Sequence, residues 1–230
     1  MASKTKHLPI QVGIIIYNES KRLPGWLKYW QPIAEHIIII DQGSKDGTQD
    51  ILKASGVDWY ERLPSGNADI HWNDLIGISK MDRPLFRLGV DEFITRANIK
   101  KVLKVIKAHP QIMLWWMKRT NWIDGIDLYE HPEAKQLLGH DWQPIVSFGR
   151  PYYFSGRMHN WAEMKVPGEH LGYIDTEVAW VDHRRTLAEV VEVNESREHR
   201  CRSGSADDQI WFVRACQELV SGNYAKEGEQ

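Results

Sequence analysis

Cysteine is scarce here: the chain of 230 residues has two, Cys201 and Cys216. Their spacing matches no disulfide framework and no zinc-ligand pattern, so they read as the reduced thiols of a cytosolic protein. Neither sign of charge is in excess. The formal net charge is −2 with 26% charged residues, which argues against nonspecific attachment to nucleic acid or to an anionic membrane surface. No apolar run approaches the ~20 residues that a membrane-spanning helix needs, so no integral membrane segment is expected. The opening residues MASKTKHLP lack the apolar stretch of a secretory signal, which also points to a cytoplasmic location. Internal repeats and low-complexity tracts are absent. So is the G-x-G-x-x-G that opens the first helix of dinucleotide-binding folds, which disfavours a dinucleotide-dependent oxidoreductase. Tryptophan is the exception to this plainness, with eleven residues.

Two early stretches carry most of the information: VGIIIYNES, ending at Ser20, and IIIIDQGSKDGT, ending at Thr48. Each is a β-branched run that stops at turn-forming polar residues, the pattern of a buried parallel strand opening into a loop. In open α/β sheets ligands bind at such carboxyl ends. Asn18 and Glu19 follow the first run and Asp41 ends the second. A third run, PLFRLGVDEFI, is read as one strand ending in Asp91 and Glu92. Acids at three neighbouring strand tips suit a polyhydroxylated ligand, a metal, or both.

Helical patterns fill the intervals. Ser20 is placed to cap a helix running to Trp30, and Pro32 stops it. DGTQDILKAS, residues 68–80 and ANIKKVLKVIKAH follow, the last with Ile99, Val102, Leu103, Val105 and Ile106 along one side. This βαβα alternation predicts an α/β fold with a mostly parallel central sheet and helices on both faces. MLWWMKRT and TEVAWVDH read as later strands, the second closed by His183. Residues 121–161 form an irregular, aromatic-rich region, and TLAEVVEVNESREH and DDQIWFVRACQELV read as closing helices. Trp59, Trp115 and Trp180 sit in strand patterns and are expected in the core, whereas Trp122, Trp142 and Trp161 fall in the irregular region.

YNES followed by WL, then IIIIDQGSKDGT, then LGVDEF resembles the nucleotide-sugar-binding half of family 2 glycosyltransferases, which have the GT-A, Rossmann-like fold. The resemblance covers roughly residues 10–110. It implies one GT-A-like domain over residues 1–230, with a donor-binding half at 8–110, an acceptor-side half at 111–222 and a tail at 223–230. It also implies an inverting transferase that moves a sugar from a nucleoside-diphosphate donor, most simply a UDP-sugar, to a hydroxyl of a glycan or another acceptor. In the family, the positions of Asn18, Glu19 and Asp41 contact the nucleoside, and an ionised carboxylate, an acceptor only, suits a base N–H or ribose hydroxyls.

Asp91 matches the second aspartate of the family's Asp-x-Asp motif, which holds Mn²⁺ or Mg²⁺ against the diphosphate. The first aspartate is replaced by Gly89. The resemblance makes His183 a further metal ligand and Arg184 and Arg185 clamps for phosphate oxygens. Where relatives show a His-Glu pair the chain has His159-Asn160, so Glu163, the nearest acid, is the expected general base. Each of these residues also has a plainer role open to it. Asp41, Asn18 and Ser20 can cap loops and helices, Asp91 can start a helix, and a lone histidine is commonly just packed. The departures at Gly89 and Asn160 motivate an alternative, a noncatalytic nucleotide- or glycan-binding protein on the same scaffold. A sugar-phosphate nucleotidylyltransferase is disfavoured, because YNESKRLPG is not a glycine-rich basic loop.

Overall fold

A computed structural model describes residues 6–63, 69–131, 142–148, 152–153, 163–164, 170–198 and 206–222. In chain order the elements begin with β1 (Leu8–Ile16), α1 (Leu23–Trp30), β2 (Ala34–Asp41), α2 (Thr48–Ser55), β3 (Asp58–Glu61), α3 (Asp69–Ile78), β4 (Leu85–Arg87), β5 (Glu92–Phe93) and α4 (Arg96–Ala108). There follow β6 (Leu114–Ile123), β7 (Ile126–Asp127), a 3-10 turn (Leu128–Glu130), β8 (Trp142–Ser147), β9 (Tyr152–Tyr153), β10 (Glu163–Met164), β11 (Leu171–Ile174), β12 (Val181–Arg185), α5 (Leu187–Glu198) and α6 (Ala206–Ser221). The chain folds as two units. One comprises Met1–Asp91, Thr95–Met117 and Pro144–Ala179, the other Glu92–Ile94, Lys118–Gln143 and Trp180–Gln230.

In the first unit β1 lies between β2 and β4 and is parallel to both, β3 extends the sheet beyond β2, and β8 joins β4 antiparallel. Alternate residues of β1 and β2 point to opposite faces, and both sets are buried. The register makes this concrete: Val12 and Ile14 sit beside Ile37 and Ile39 on one face, while Ile38 and Ile40 pack with Leu75 and Ile76 of α3 on the other. Continuous β-branched runs, rather than alternating ones, are what a doubly covered parallel sheet requires. Gly13 lets α3 approach closely, since a Cβ there would lie 2.6 Å from Leu75 Cδ2.

The order β3-β2-β1-β4 has a functional consequence. The chain steps outward from β1 to β2 to β3, then returns to the other flank of β1 for β4. The β1/β4 boundary is therefore the topological switch point, and ligands of open α/β sheets bind outside the carboxyl ends of the strands at such a point.

Helix α1 buries Leu23, Trp26, Leu27 and Trp30, the i, i+3, i+4, i+7 stripe of an amphipathic helix. It starts later than expected and Ser20 does not cap it. The position before α1 is Arg22, without a side-chain cap, and Leu23 N–H donates to the Glu19 carbonyl at 2.9 Å. In α4, Thr95 is the cap, its hydroxyl accepting from Asn98 N–H at 3.1 Å.

The run read as one strand from Pro84 to Ile94 is two. β4 ends at Arg87, with Leu88 N–H still donating to the Gly13 carbonyl at 3.1 Å, and the chain then turns so that β5 pairs antiparallel with β12. Asp91 accordingly lies in a turn after β4 rather than at the tip of a continuous strand.

The second unit is built on residues 118–123 of β6, which pair parallel with β12 and antiparallel with β7. Asp124 and Gly125, both at positive φ (49° and 81°), form the tight hairpin turn into β7. Ile123, Leu128, Val190, Cys216 and Leu219 make its core. The late strand begins at Val181 and runs through Arg185, so His183 lies mid-strand instead of closing it. The residues before it form a turn, in which the Asp175 carboxylate accepts from Glu177 N–H at 2.9 Å. Trp180 is not core: it is 37% exposed, and its indole N–H donates to Asp182. Trp115 is buried as expected, Trp59, Trp122 and Trp142 are half-buried, and Trp161 lies outside the described residues. Among the described residues no helix is long and apolar enough to cross a membrane.

Candidate functional site

Two loops meet above the carboxyl ends of β1 and β2, and four hydrogen bonds stitch them together. Asn18 N–H donates to Ser44 Oγ and Lys45 N–H to Asn18 Oδ1, both at 2.8 Å. Glu19 N–H donates to Thr48 Oγ1 at 2.8 Å, and Ser20 N–H to Asp46 Oδ2 at 3.0 Å. Asn18 has φ 56°, a left-handed conformation that asparagine tolerates better than most residues. Ser44, Asp46 and Thr48 thus have a structural role: they supply acceptors to the backbone amides that β1 leaves at its end.

The Asp46 carboxyl is held well below its ordinary range. Partial burial pushes its pKa up, but hydrogen bonds from Thr48 and Ser20 outweigh that and bring it down from 3.8 to about 2. A carboxyl depressed on folding stabilises the fold above its unfolded value, and that contribution disappears as pH falls toward the folded value. The melting temperature of the unaltered chain should therefore exceed that of Asp46→Asn near neutrality, and the difference should shrink between pH 3.8 and about 2. A difference independent of pH would mean that this carboxylate does not hold the loops.

Asp41, wholly buried at the end of β2, accepts from Ser44 N–H at 3.1 and 3.3 Å, from the Ser44 hydroxyl, and from Gln49 Nε2 at 2.8 Å. The same Gln49 amide reaches Glu61 at 3.2 Å. Beside them Arg62 N–H donates to the Asp41 carbonyl at 2.8 Å, and the Arg62 side chain donates to Asp74 at 3.1 Å.

At the switch point the side chains of Glu19 and Asp91 come together on Arg22. The guanidinium forks onto Glu19, Nε to Oε2 at 2.8 Å and Nη2 to Oε1 at 2.9 Å. Its remaining nitrogen, Nη1, lies 3.8 Å from Asp91 Oδ2, an electrostatic approach too long for a hydrogen bond. Asp91 is 7% exposed. Carboxylates from the loops after adjacent parallel strands thus converge here around one cation, which the strand-tip motifs do not single out. The i, i+3 spacing of Glu19 and Arg22 is the signal available for it.

The second unit has a polar row of its own. Glu92, His183 and Asn121 are register partners across β5, β12 and β6, so they share one face of that sheet. His183 Nδ1 lies 2.6 Å from Asn121 Oδ1. An amide oxygen only accepts, so Nδ1–H is the donor of this pair. Glu92 accepts from Arg119 at 2.9 Å. Strand alternation separates the two arginines. Arg184 sits with Asp182, at 2.9 Å, while Arg185 shares the His183 face. Cys216 is buried in this unit's core, and burial, partly offset by the charge of Arg185, pushes its thiol up to about 12. Such a thiol is inert. Glu163 lies in β10 opposite Tyr153, and its side chain is outside the described residues, as are His159, Asn160 and Cys201.

No family model matches the chain. The SPbeta prophage-derived glycosyltransferase SunS of Bacillus subtilis is 25% identical over 155 residues, which cover 65% of this chain and 34% of that protein. Glycosyltransferase SunS of Bacillus phage SPbeta aligns to the same extent. Over that stretch the chain is similar to these glycosyltransferases. It spans about a third of the length of these curated relatives. Among solved structures, mannosyl-3-phosphoglycerate synthase from Rubrobacter xylanophilus has a TM-score of 0.47 at 14% identity, over 96% of this chain and 77% of that one. Glucosyl-3-phosphoglycerate synthase from Mycobacterium tuberculosis, crystallised with Mn²⁺, uridine diphosphate and phosphoglyceric acid, has a TM-score of 0.46 at 14% identity, over 85% and 80% of the two chains.

Proposed function

We propose that the chain is an inverting glycosyltransferase that moves a sugar from a UDP-linked donor to an acceptor hydroxyl, with assistance from a divalent metal. The observation that carries this reading is the meeting of Glu19 and Asp91 on one guanidinium at the β1/β4 switch point. The similarity to a curated glycosyltransferase supports it. In the proposed reaction the acceptor oxygen attacks the anomeric carbon from the face opposite the diphosphate. The new C–O bond forms as the bond to the β-phosphate oxygen breaks, UDP departs with that electron pair, and Glu163 takes the hydroxyl proton. Asn18, Glu19 and Asp41 are the proposed contacts of the nucleoside.

Asp91 would hold the Mn²⁺ or Mg²⁺ together with the donor's own phosphate oxygens, since such ions are commonly bound by one or two carboxylates plus substrate. The chemistry such an ion supplies is to offset the charge gathering on the departing diphosphate. The residues fit an ion only in this shared form. Gly89 offers no carboxylate, and among the described residues no three His, Cys, Asp or Glu side chains are grouped to hold a metal.

That same shortage favours a second reading, a noncatalytic nucleotide- or glycan-binding protein on this scaffold. The two separate cleanly when UDP release from a panel of UDP-sugars is followed with Mn²⁺, alongside equilibrium binding of UDP. Release that rises on adding an acceptor supports transfer. Saturable binding without release supports a nucleotide binder, and no UDP binding at all removes both the transferase and the nucleotide binder.

A further inference from the structure

The geometry points to Arg22 as the group that receives the donor's diphosphate, its fork held on Glu19 until the donor arrives. This rests on the donor site proposed above and adds to it a residue and a mode of recognition. The argument starts from position. The Arg22 side chain reaches from the loop that follows β1 toward Asp91 in the turn that follows β4, at the boundary where strand order reverses and where ligands of such sheets bind.

It then turns on charge. A donor diphosphate brought to Glu19 and Asp91 alone would meet two carboxylates, and like charges at a few ångströms repel strongly in a poorly solvated site. Among the described residues no three His, Cys, Asp or Glu side chains are grouped to hold a metal, so a divalent ion has few protein ligands here. Arg22 supplies a cation that is part of the chain and does not dissociate.

The last step is shape. Nε and Nη2 are spaced for a bidentate oxygen acceptor, and they now hold the two Glu19 oxygens at 2.8 and 2.9 Å. Two oxygens of a diphosphate present the same spacing with more charge. The Arg22 side chain is 27% exposed, whereas those of Glu19 and Asp91 are 16% and 8% exposed, so the guanidinium is the member of the trio that incoming solute meets. The exchange is one of hydrogen-bond partners only; no covalent bond changes.

The test compares uridine with UDP. Both are titrated calorimetrically into the unaltered chain, Arg22→Gln and Arg22→Lys, with EDTA present so that no divalent ion contributes. Loss of a charge-assisted bidentate contact should weaken UDP by about tenfold or more in Arg22→Gln and leave uridine unchanged. Arg22→Lys keeps the charge without the fork and should fall between. Unchanged uridine affinity also shows that the variant is folded. If Arg22→Gln lowers uridine and UDP alike, Arg22 only shapes the loop and the assignment is overturned; an unchanged UDP affinity overturns it as well. If the unaltered chain binds UDP only when Mn²⁺ replaces EDTA, the ion and not Arg22 receives the diphosphate and the assignment is overturned; if it binds neither compound with Mn²⁺ either, the donor site itself is wrong and the inference goes with it.

Discussion

Replacing Asp91 with asparagine should lower the rate of UDP release from a UDP-sugar by at least about a hundredfold and remove its dependence on Mn²⁺, because even residues that merely orient a metal ligand typically contribute ~10–100-fold. The substitution is close to isosteric, so the turn after β4 can persist, while the anionic charge is lost. Asp91 is nearly buried, and Arg22 Nη1 lies 3.8 Å from it, beyond hydrogen-bond reach. The asparagine therefore disturbs no charge-assisted hydrogen bond between those two side chains, and the fork on Glu19 keeps its own geometry. The readout is UDP release with and without Mn²⁺, together with Mn²⁺ affinity measured in the presence of UDP. A variant that keeps the metal dependence of the unaltered chain would remove Asp91 from the site.

What the amino-acid order made legible was whatever depends on neighbours in the chain. β1, β2, α2, α4 and the two closing helices follow from β-branched runs, apolar periodicity and turn residues, and all are present. The segment 84–94 misled because its residues suit a strand at both ends. Only pairing partners, β1 for Leu85–Arg87 and β12 for Glu92–Phe93, decide that the chain breaks between them. The late strand was misplaced for a related reason. Asp175 binds the amide of Glu177 and holds a turn where β-propensity favours extension, and β12 gains its length by lying between β5 and β6. In the candidate site the acids could be named from strand ends alone. Arg22 is signalled only by its i, i+3 spacing from Glu19; its approach to Asp91 is distant in sequence and depends on β4 returning to the flank of β1. Nor does the order of residues say that Ser44 and Thr48 accept from the amides of Asn18 and Glu19; that is a property of two loops brought side by side by parallel strands.

Asp41→Ala should be the most destabilising change in the site, by about 3 kcal/mol or more, since each buried donor left without a partner costs ~1–3 kcal/mol. Three donors converge on this carboxylate: Ser44 N–H, the Ser44 hydroxyl and the Gln49 amide. The loss spreads further, because Ser44 Oγ is also the acceptor for Asn18 N–H, so freeing Ser44 loosens the β1 loop that positions Glu19 and Arg22. For a chain of this size the cost corresponds to a fall in melting temperature of about 10 °C. Gln49→Ala removes the amide that α2 shares between Asp41 and Glu61, leaves both Ser44 bonds in place, and should cost less than about 1 kcal/mol. The contrast bears on the proposed nucleoside contact. A carboxylate has about four acceptor positions, so an N–H from the base can take the place of the Gln49 amide while both Ser44 bonds persist. Thermal unfolding of the two variants, with and without saturating UDP, separates these roles. Melting of Asp41→Ala at the temperature of the unaltered chain would show that the loop is held by something other than this carboxylate. Stabilisation of Asp41→Ala by UDP equal to that of the unaltered chain would show that the nucleoside does not touch it.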